Sequence, residues 1–379
     1  MSNPFQYGGI VGRDAFCNRA RELADLIQAI KNGERLFLYS ERRMGKTSLI
    51  RLVLSELPKN RFLAAYVDLW ATDDLESFAA ATAKAVTESI SSSADKMLQA
   101  AKRFFGSLSP AITTDSSDNP RVTFEIASRS AMAPTLTEVL AAPEKIAKRR
   151  RCRAVVVFDE FQRILEYKHD LAERTLRSVI QNQKSVSYVF LGSRKHLVQK
   201  MFLDQARPLY RSGAHYPLRP IETKHWLPFI RKRFLKSERD ITNELIESVC
   251  RLTGGHPFYT QHLCHVLWEI CEPHAAVTSE TLTKATRMLL DRESYAYGAL
   301  WESFGLNQRR FLSGLAAASS DVRPFGADFI RANKLRSPST AQRVVRSLLE
   351  RDIIDRDDGS FVISDRFFRL WIQQLTEIT

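Results

Sequence analysis

The stretch of residues 35–53 limits what this chain can fold into more than any other, because it joins a strand, a loop and a helix. Residues 36–39 are a short apolar run typical of a strand, and residues 48–53 have the composition of a helix. The loop between them (SERRMGKT, residues 40–47) ends in Gly-Lys-Thr. Backbone N–H groups of such a loop, together with the helix N-terminus, surround phosphate oxygens. The stretch therefore predicts a phosphate-binding loop; the alternative is a chance Gly-Lys-Thr in a basic surface loop.

Individual residues of the loop have distinct predicted roles. We expect Lys46 to contact the terminal phosphates and Thr47 to bind Mg²⁺. Further nucleotide contacts are expected from the neighbouring residues Arg42, Arg43, Met44, Gly45 and Ser48. Ser40 departs from the pattern G-x-x-x-x-G-K-[ST], which begins with glycine. Because glycine permits backbone conformations that serine adopts only at a cost, we expect a conformational cost at Ser40.

A second chemical site follows residues 154–158, which are continuously apolar, as in a strand buried on both faces. This run ends in Asp159 and Glu160. In an open parallel sheet, ligands bind beyond the carboxyl ends of the strands. We therefore predict that Asp159 binds Mg²⁺ and that Glu160 orients and polarises the attacking water.

Three further polar residues have two interpretations each. Ser193 follows a predicted strand at residues 187–191, and it either senses the γ-phosphate or simply caps the next helix. Arg19 is either a surface charge or a contact to bound nucleotide. Arg211 precedes a last predicted strand at residues 215–218, and it acts on a nucleotide or forms a structural ion pair.

The order of apolar segments predicts the architecture. Alternating strands and helices indicate an α/β core over residues 1–220, with a parallel sheet flanked by helices. An insertion of helices and a hairpin interrupts the core at about residues 73–150, with a polar loop at 107–120 and a short strand at 121–126. Residues 221–292 predict a helical subdomain. Residues 293–379 predict three helices and a hairpin with an Asp358-Gly359 turn, which is the pattern of a winged helix-turn-helix domain.

Composition restricts the partners and the compartment. The formal net charge of +13 favours acidic partners such as nucleic acid, nucleotides or a membrane surface, and does not choose among them. Five scattered cysteines without C-x-x-C spacing suggest reduced thiols and a cytoplasmic location. No apolar run approaches the roughly 18 residues that a membrane-spanning helix needs, and the first residues lack a signal-peptide pattern, so no membrane association is expected.

Several motifs, taken in this order, resemble one family over nearly the whole chain: FCNRAREL (16–23), YSERRMGKTSL (39–49), DEFQ (159–162), PLYR (208–211), GHPF (255–258) and DRFFRLW (365–371). The chain resembles the archaeal-type P-loop ATPases of the STAND branch, within the AAA+-like group. In that family the first loop glycine is often replaced, and Glu41 stands where proline is commoner. The resemblance implies ATP or ADP with Mg²⁺, and a helical lid whose His256 and Pro257 lie against the nucleotide. It also implies that Arg211 reaches either its own nucleotide or that of a neighbouring subunit.

Three functions are compatible with this resemblance. The first is a slow ATPase that works as a switch, in which nucleotide state is coupled to a winged helix that binds DNA or a protein. The second is a DNA-binding regulator with a mainly structural nucleotide, and the third is a protein-interaction scaffold without enzymatic activity. DNA contacts are expected from Arg343 and Arg346 on the third helix or, alternatively, from the basic residues 148–153 or 231–236. Residues 307–379 carry a net charge of only +3, and a nucleotide-dependent homo-oligomer is left open.

Overall fold

The strands that the apolar runs predict pair as a parallel sheet, which confirms the predicted α/β fold class. The computed structural model describes residues 2–9, 12, 14, 16–126, 132–318, 323–357 and 360–377. Its strands are β1 Arg35–Tyr39, β2 Phe62–Asp68, β3 Leu108–Thr114, β4 Pro120–Ile126, β5 Arg153–Asp159, β6 Val186–Gly192, β7 Ala214–Pro217, β8 Ile354–Asp357 and β9 Ser360–Ile363. Within the described residues, the main sheet has the order β2-β5-β6-β1-β7. Every neighbouring pair in it is parallel.

The other regular elements of the described chain are helices. They are α1 Ala20–Asn32, α2 Lys46–Glu56, α3 Leu75–Ile90, α4 Ala94–Phe104, α5 Met132–Arg150, α6 Leu171–Ile180, α7 Lys195–Leu203, α8 Thr223–Lys236, α9 Asn243–Thr253, α10 Pro257–Ile270, α11 Ser279–Glu302, α12 Leu306–Ala317, α13 Ala327–Ala332, α14 Pro338–Glu350 and α15 Arg366–Glu377. A 3₁₀ helix covers Phe161–Glu166. The apolar spacing of residues 14–31 predicts a helix there, and the observed helix begins at Ala20, six residues later.

By its packing, the chain divides into two compact units. The first contains Met1–Asn18, Glu41–Gly45 and Arg219–Thr379, and the second contains Arg19–Ser40 and Lys46–Leu218. The tip of the predicted phosphate loop therefore belongs to the first unit by its contacts. The predicted domain boundaries at residues 220 and 292 remain predictions, and one continuous helix, α11, runs through residue 292.

The second unit is built on the buried sheet. All seven residues of β6 are buried, as are six of the seven in β5. Their aromatic side chains stack on one another, with 5.9 Å between the ring centroids of Phe158 and Phe190. Because β5, β6 and β1 are neighbours and parallel, the segments that follow their carboxyl ends meet at one edge of the sheet.

The insertion between β2 and β5 contains a strand, β3, that its polar sequence does not predict. The segment expected as a polar loop contains β3, which pairs antiparallel with β4 from Leu108↔Ile126 to Thr114↔Pro120. Most of β3 is exposed, so it needs no run of apolar residues and lacks the usual sequence signal of a strand.

The first unit has one continuous apolar core. Residues of α8–α15 and of the β8–β9 hairpin share this cluster with Phe5 and Cys17. Helices α12, α13 and α14, the hairpin and α15 follow one another as the winged-helix prediction requires. The predicted Asp358-Gly359 turn lies outside the described residues.

The core of the second unit yields a test of stability. Phe158 is fully buried and also stacks on Phe78 at 5.5 Å. We expect Phe158→Ala to lower the free energy of unfolding by about 3–5 kcal/mol, because it removes buried apolar area and leaves a cavity. Urea denaturation followed by circular dichroism measures this change. The control is Tyr295→Ala, at a site that is 91% exposed, where we expect a change of about 0.5 kcal/mol or less. Equal effects at the two sites would contradict the assigned core.

Candidate functional site

The lysine of the predicted phosphate loop is held by the serine that replaces glycine. Lys46 is the first residue of α2 and is buried. Its ammonium group donates to Ser40 Oγ at 3.0 Å and to the Ser40 carbonyl oxygen at 3.4 Å. The expected conformational cost at Ser40 is absent, because the left-handed residues of the loop are Arg43 (φ 59°) and Gly45 (φ 87°). Ser40 is therefore a hydrogen-bonding partner of Lys46.

The carboxylate at the end of β5 collects donors from three segments. Thr47 Oγ1 donates to Asp159 Oδ2 at 2.8 Å, and the backbone N–H of Glu160 donates to Oδ1 at 2.8 Å. The hydroxyl of Tyr66, on the neighbouring strand β2, also donates to Oδ2. Burial, reinforced by the negative charge of Asp159, raises the pKa of Tyr66, so its hydroxyl keeps its proton as a donor. Tyr66 was not predicted, and its place two residues before the carboxyl end of β2 is the only signal for it.

The oxygen atoms at this position fit Mg²⁺. A threonine hydroxyl and a carboxylate that lie 2.8 Å apart are ligands of the type that Mg²⁺ takes, with waters and substrate phosphates completing its shell. Among the described residues, no group of three or more His, Cys, Asp or Glu side chains could hold a metal ion. Thr47 and Asp159 would therefore bind Mg²⁺ together with phosphate oxygens.

The predicted water-activating residue is oriented by two neighbours. Glu160 has a left-handed backbone (φ 52°), and its Oε2 accepts from Ser193 Oγ at 2.7 Å. The buried Gln162 donates through Nε2 to Glu160 Oε2 and to Ser193 Oγ, the latter at 3.2 Å. The Ser193 hydroxyl thus donates to the Glu160 carboxylate. Ser193 does not cap α7, because the residue at the N-cap position is Arg194. Gln162 is a further site residue that sequence reasoning missed.

The other predicted loop contacts lie in the first unit. The Arg42 side chain pairs with Asp352 at 2.9 Å, and the Arg42 carbonyl oxygen lies 3.0 Å from His256 Nε2. The Arg43 guanidinium lies 4.4 Å from the ring centroid of Phe258. The first unit also contains three other residues predicted to contact nucleotide: Met44, Gly45 and Pro257. Met44 is buried, and Pro257 is the first residue of α10.

A buried ion pair fixes the first residue of the loop tip. Both carboxylate oxygens of Glu41 accept from Arg366 Nη2, at 3.1 and 3.0 Å. Arg366 Nη1 donates to the Ile363 carbonyl oxygen at 2.6 Å. The exposed fractions are 3% for the Glu41 side chain and 10% for that of Arg366. The pair links the loop tip to the start of α15, and sequence reasoning did not predict it.

The remaining predicted residues are Arg19, Arg211 and Ser48. Arg19 is buried and forms an ion pair with Glu22 at 2.6 Å. Arg211 is exposed and precedes the amino end of β7, whereas Lys46, Asp159 and Ser193 follow the carboxyl ends of β1, β5 and β6. Ser48 is buried in the first turn of α2. The roles of these residues in nucleotide binding remain predictions.

All five cysteines are free thiols. Within the part of the chain that the structure describes, no helix combines the length and the apolar character needed to cross a membrane.

Comparisons with known proteins agree with this geometry. Residues 16–297 match a family described as an ATPase domain predominantly from Archaea, and residues 295–374 match a probable winged helix domain. The Walker-type ATPase PABY2304 of Pyrococcus abyssi is similar in structure, with a TM-score of 0.64 and 16% identity over 95% of this chain and 97% of that one. The ORC2 protein of Aeropyrum pernix, solved with ADPNP and ADP, has a TM-score of 0.53 and 12% identity over 96% of each chain. At these identities the likeness concerns the fold alone. No curated protein matches the chain.

The contacts of Lys46 predict a large loss of affinity in Lys46→Ala. We expect ATP to bind about 100-fold more weakly or worse, because about two charge-assisted hydrogen bonds to phosphate are lost. Isothermal titration calorimetry measures the affinity. The control is Lys59→Ala, an exposed lysine in the same unit, which should bind ATP like the wild type. Equal ATP affinity in Lys46→Ala and the wild type would rule out the phosphate-binding role.

The position of Glu160 predicts that a substitution there impairs ATP hydrolysis but not ATP binding. Glu160→Gln should keep the ATP affinity within about threefold, whereas kcat should fall about 100-fold or more, as on loss of a general base. Steady-state phosphate release and calorimetry measure the two quantities. Glu34→Gln, the same chemical change beside the amino end of β1, is the control and should keep both values. A Glu160→Gln variant that hydrolyses ATP at the wild-type rate would show that Glu160 is not the base.

Proposed function

The chain belongs to the family of ATPase domains found predominantly in Archaea, and on this premise we propose that it is a Mg²⁺-dependent ATP switch with slow turnover. Its nucleotide state is coupled to the C-terminal winged helix domain, which binds a macromolecular partner. The observation that carries this proposal is the buried ion pair between Glu41 of the loop and Arg366 of the winged-helix segment.

The residues of the second unit support nucleotide binding and hydrolysis. Lys46 binds the terminal phosphates, and Thr47 and Asp159 hold Mg²⁺, with Tyr66 keeping the Asp159 carboxylate in place. Bound Mg²⁺ neutralises charge that develops on the phosphates. Glu160 orients the attacking water. Because Ser193 and Gln162 occupy one of its carboxylate oxygens, that oxygen is not free to accept a proton from water, which favours slow turnover.

The loop tip supports the coupling step. Residues 41–45 are the chain segment between Ser40 and Lys46, so a backbone change on phosphate binding acts directly on Glu41 and Arg42. Their partners Arg366 and Asp352 flank the β8–β9 hairpin in the sequence. A ligand shifts the equilibrium between two conformations of a protein only if the contacts differ between them. These two ion pairs are contacts that can differ between the ATP-bound and ADP-bound conformations.

The exposed surface of α14 favours DNA as the partner. Arg343 and Arg346 are exposed on the same helix face, three residues apart. Thr340 on the same helix is buried, and its hydroxyl lies 3.1 Å from that of Ser337, the N-cap residue, so it is not available for base contacts. Asp355 of the hairpin is buried, so its carboxylate is not on the surface where it would repel the phosphates of DNA. Because the net charge of this region is small, a protein partner is the competing proposal.

Finer assignments extend this proposal. The motif order supports an assignment to the STAND branch, and five free thiols support a reducing cytoplasm as the location. The exposed Arg211, before the amino end of β7, suits a contact to the nucleotide of a neighbouring subunit in a nucleotide-dependent homo-oligomer.

The ion pair of Glu41 predicts how the winged helix responds to nucleotide. We expect Arg366→Met to increase amide hydrogen exchange of β9 and α15 and to abolish the difference in exchange between the ATP-bound and ADP-bound protein. The physical reason is that removing Arg366 takes away the cation that compensates a buried carboxylate, and breaking a buried ion pair costs about 3–5 kcal/mol. Hydrogen exchange monitored by mass spectrometry measures both effects.

Arg369→Met is the matched control. Arg369 lies on the same helix but donates to the Ala316 carbonyl oxygen, at 3.2 Å. This variant should loosen α15 while it keeps a difference between the two nucleotide states. If Arg366→Met kept the wild-type difference, the ion pair would not be the coupling element.

A further inference from the structure

A second concave site lies in the insertion of the second unit. The end of α3, one face of α4 and the last turn of α5 enclose an open cleft with a volume of about 360 Å³. We call it the basic cleft, and its lining includes Ile90, Lys96, Arg103, Phe104, Arg149 and Arg150. Its size is in the range of ligand pockets.

The basic cleft is remote from the predicted phosphate loop. Arg150 ends α5 just before β5 begins at Arg153, so the cleft lies near the amino ends of the parallel strands. Asp159 lies at the other end of β5, a separation of roughly 20 Å along the strand. The cleft is therefore not part of the nucleotide site described above.

The cations of the basic cleft are not neutralised by the protein. Lys96, Arg103, Arg149 and Arg150 are exposed, and among the described residues none of them forms an ion pair with a carboxylate. Arg150 donates to the Ile90 carbonyl oxygen at 3.3 Å. Four like charges around one cleft repel each other and attract an anion.

Neighbouring basic residues differ from these four. Lys148 pairs with Glu144 at 2.9 Å, and Arg153 donates to the Lys31 carbonyl oxygen. The basic run at residues 148–153 is thus divided, and only part of it faces the cleft. The charge at the cleft follows from the packing of α4 against the end of α5, and the basic run alone does not indicate it.

The lining also offers a surface for a base. Phe104 and Ile90 are half-buried, so each presents part of its apolar surface to the cleft. The Arg103 guanidinium lies 5.9 Å from the ring centroid of Phe104. Nucleic-acid bases stack on aromatic side chains and on arginine, whereas phosphates pair with the surrounding cations.

We propose that the basic cleft binds single-stranded nucleic acid, with one base on Phe104 and successive phosphates on the four cations. Lys96 and Arg103 are seven residues apart on α4, a distance of about 10 Å. This distance exceeds the size of a single phosphate group, so the two cations would contact successive phosphates. A duplex keeps its bases stacked inside, where Phe104 cannot reach them. This site is independent of the winged helix and of the nucleotide.

Binding of a fluorescent 20-nucleotide oligo-dT, followed by anisotropy at several salt concentrations, tests the proposal on the full chain. Each double variant, Lys96→Ala with Arg103→Ala and Arg149→Ala with Arg150→Ala, should weaken binding about tenfold or more. Each should also lower the salt slope by about 1.4, since each phosphate contact to a single strand contributes about 0.7. Phe104→Leu should weaken binding about fivefold or more with an unchanged slope, because it removes stacking and no charge.

The matched control removes two exposed arginines from the same unit. Arg21 and Arg174 are 90% and 70% exposed and pair with Asp25 and Asp170. Arg21→Ala with Arg174→Ala makes the same change in net charge and should weaken binding less than twofold. An equal loss in this control would overturn the proposal in favour of non-specific attraction. Circular dichroism melting confirms that each variant is folded.

Further experiments distinguish binding at the basic cleft from binding at the nucleotide site and at the winged helix. Lys46→Ala should keep oligo-dT binding, so failure of the nucleotide proposal and failure of this one are distinguishable. Loss of oligo-dT binding in Arg343→Ala with Arg346→Ala, but not in the cleft variants, would overturn the proposal. So would complete competition by free inorganic tripolyphosphate at equal phosphate concentration, or cleft-dependent binding of duplex DNA as tight as that of oligo-dT.

Discussion

In a parallel sheet all strands end at the same edge, and this constraint brings together most of the groups to which we assign chemistry. Lys46, Asp159 and Ser193 follow β1, β5 and β6, which are adjacent in the sheet. Backbone hydrogen bonds between neighbouring strands set the spacing at which the polar groups meet, and the buried aromatic interior stabilises the sheet that holds them. Their hydrogen bonds, such as that from Thr47 to Asp159, then refine an arrangement that the strand order has already imposed.

What could be predicted from the sequence follows the same logic. The phosphate loop and the Asp159-Glu160 pair adjoin buried strands, whose apolar runs are local signals. Tyr66 and Gln162 carry no such signal, because their role depends on which strands are neighbours and on where a 3₁₀ helix turns back. The exposed strand β3 was hidden for the opposite reason, since a hairpin on the surface does not need apolar residues. The Glu41–Arg366 pair joins residues that are 325 positions apart, beyond the reach of any local pattern.

Glu41 presents an electrostatic problem that Arg366 solves. A carboxylate in a loop suited to bind phosphate would repel its ligand, and burial would make an uncompensated charge costly. The bidentate pair leaves the first residue of the loop tip locally neutral. In the proposed function, phosphate attraction would therefore rest on Lys46 and on the backbone N–H groups, whereas the charge of Glu41 is paired with the start of α15. The residue that is unusual for the loop is thus one of two that pair with the winged-helix segment, the other being Arg42.

The hydrogen bonds from Lys46 to Ser40 have a consequence for the rate of nucleotide exchange. A phosphate oxygen must compete with the Ser40 hydroxyl for the ammonium group, so nucleotide binding exchanges one acceptor for another and gains only the difference in free energy. When the nucleotide leaves, the same hydroxyl is in place to accept a hydrogen bond from the lysine again. If Lys46 binds phosphate as proposed, serine offers it an acceptor that glycine lacks, which would favour product release in a protein that must reset between nucleotide states.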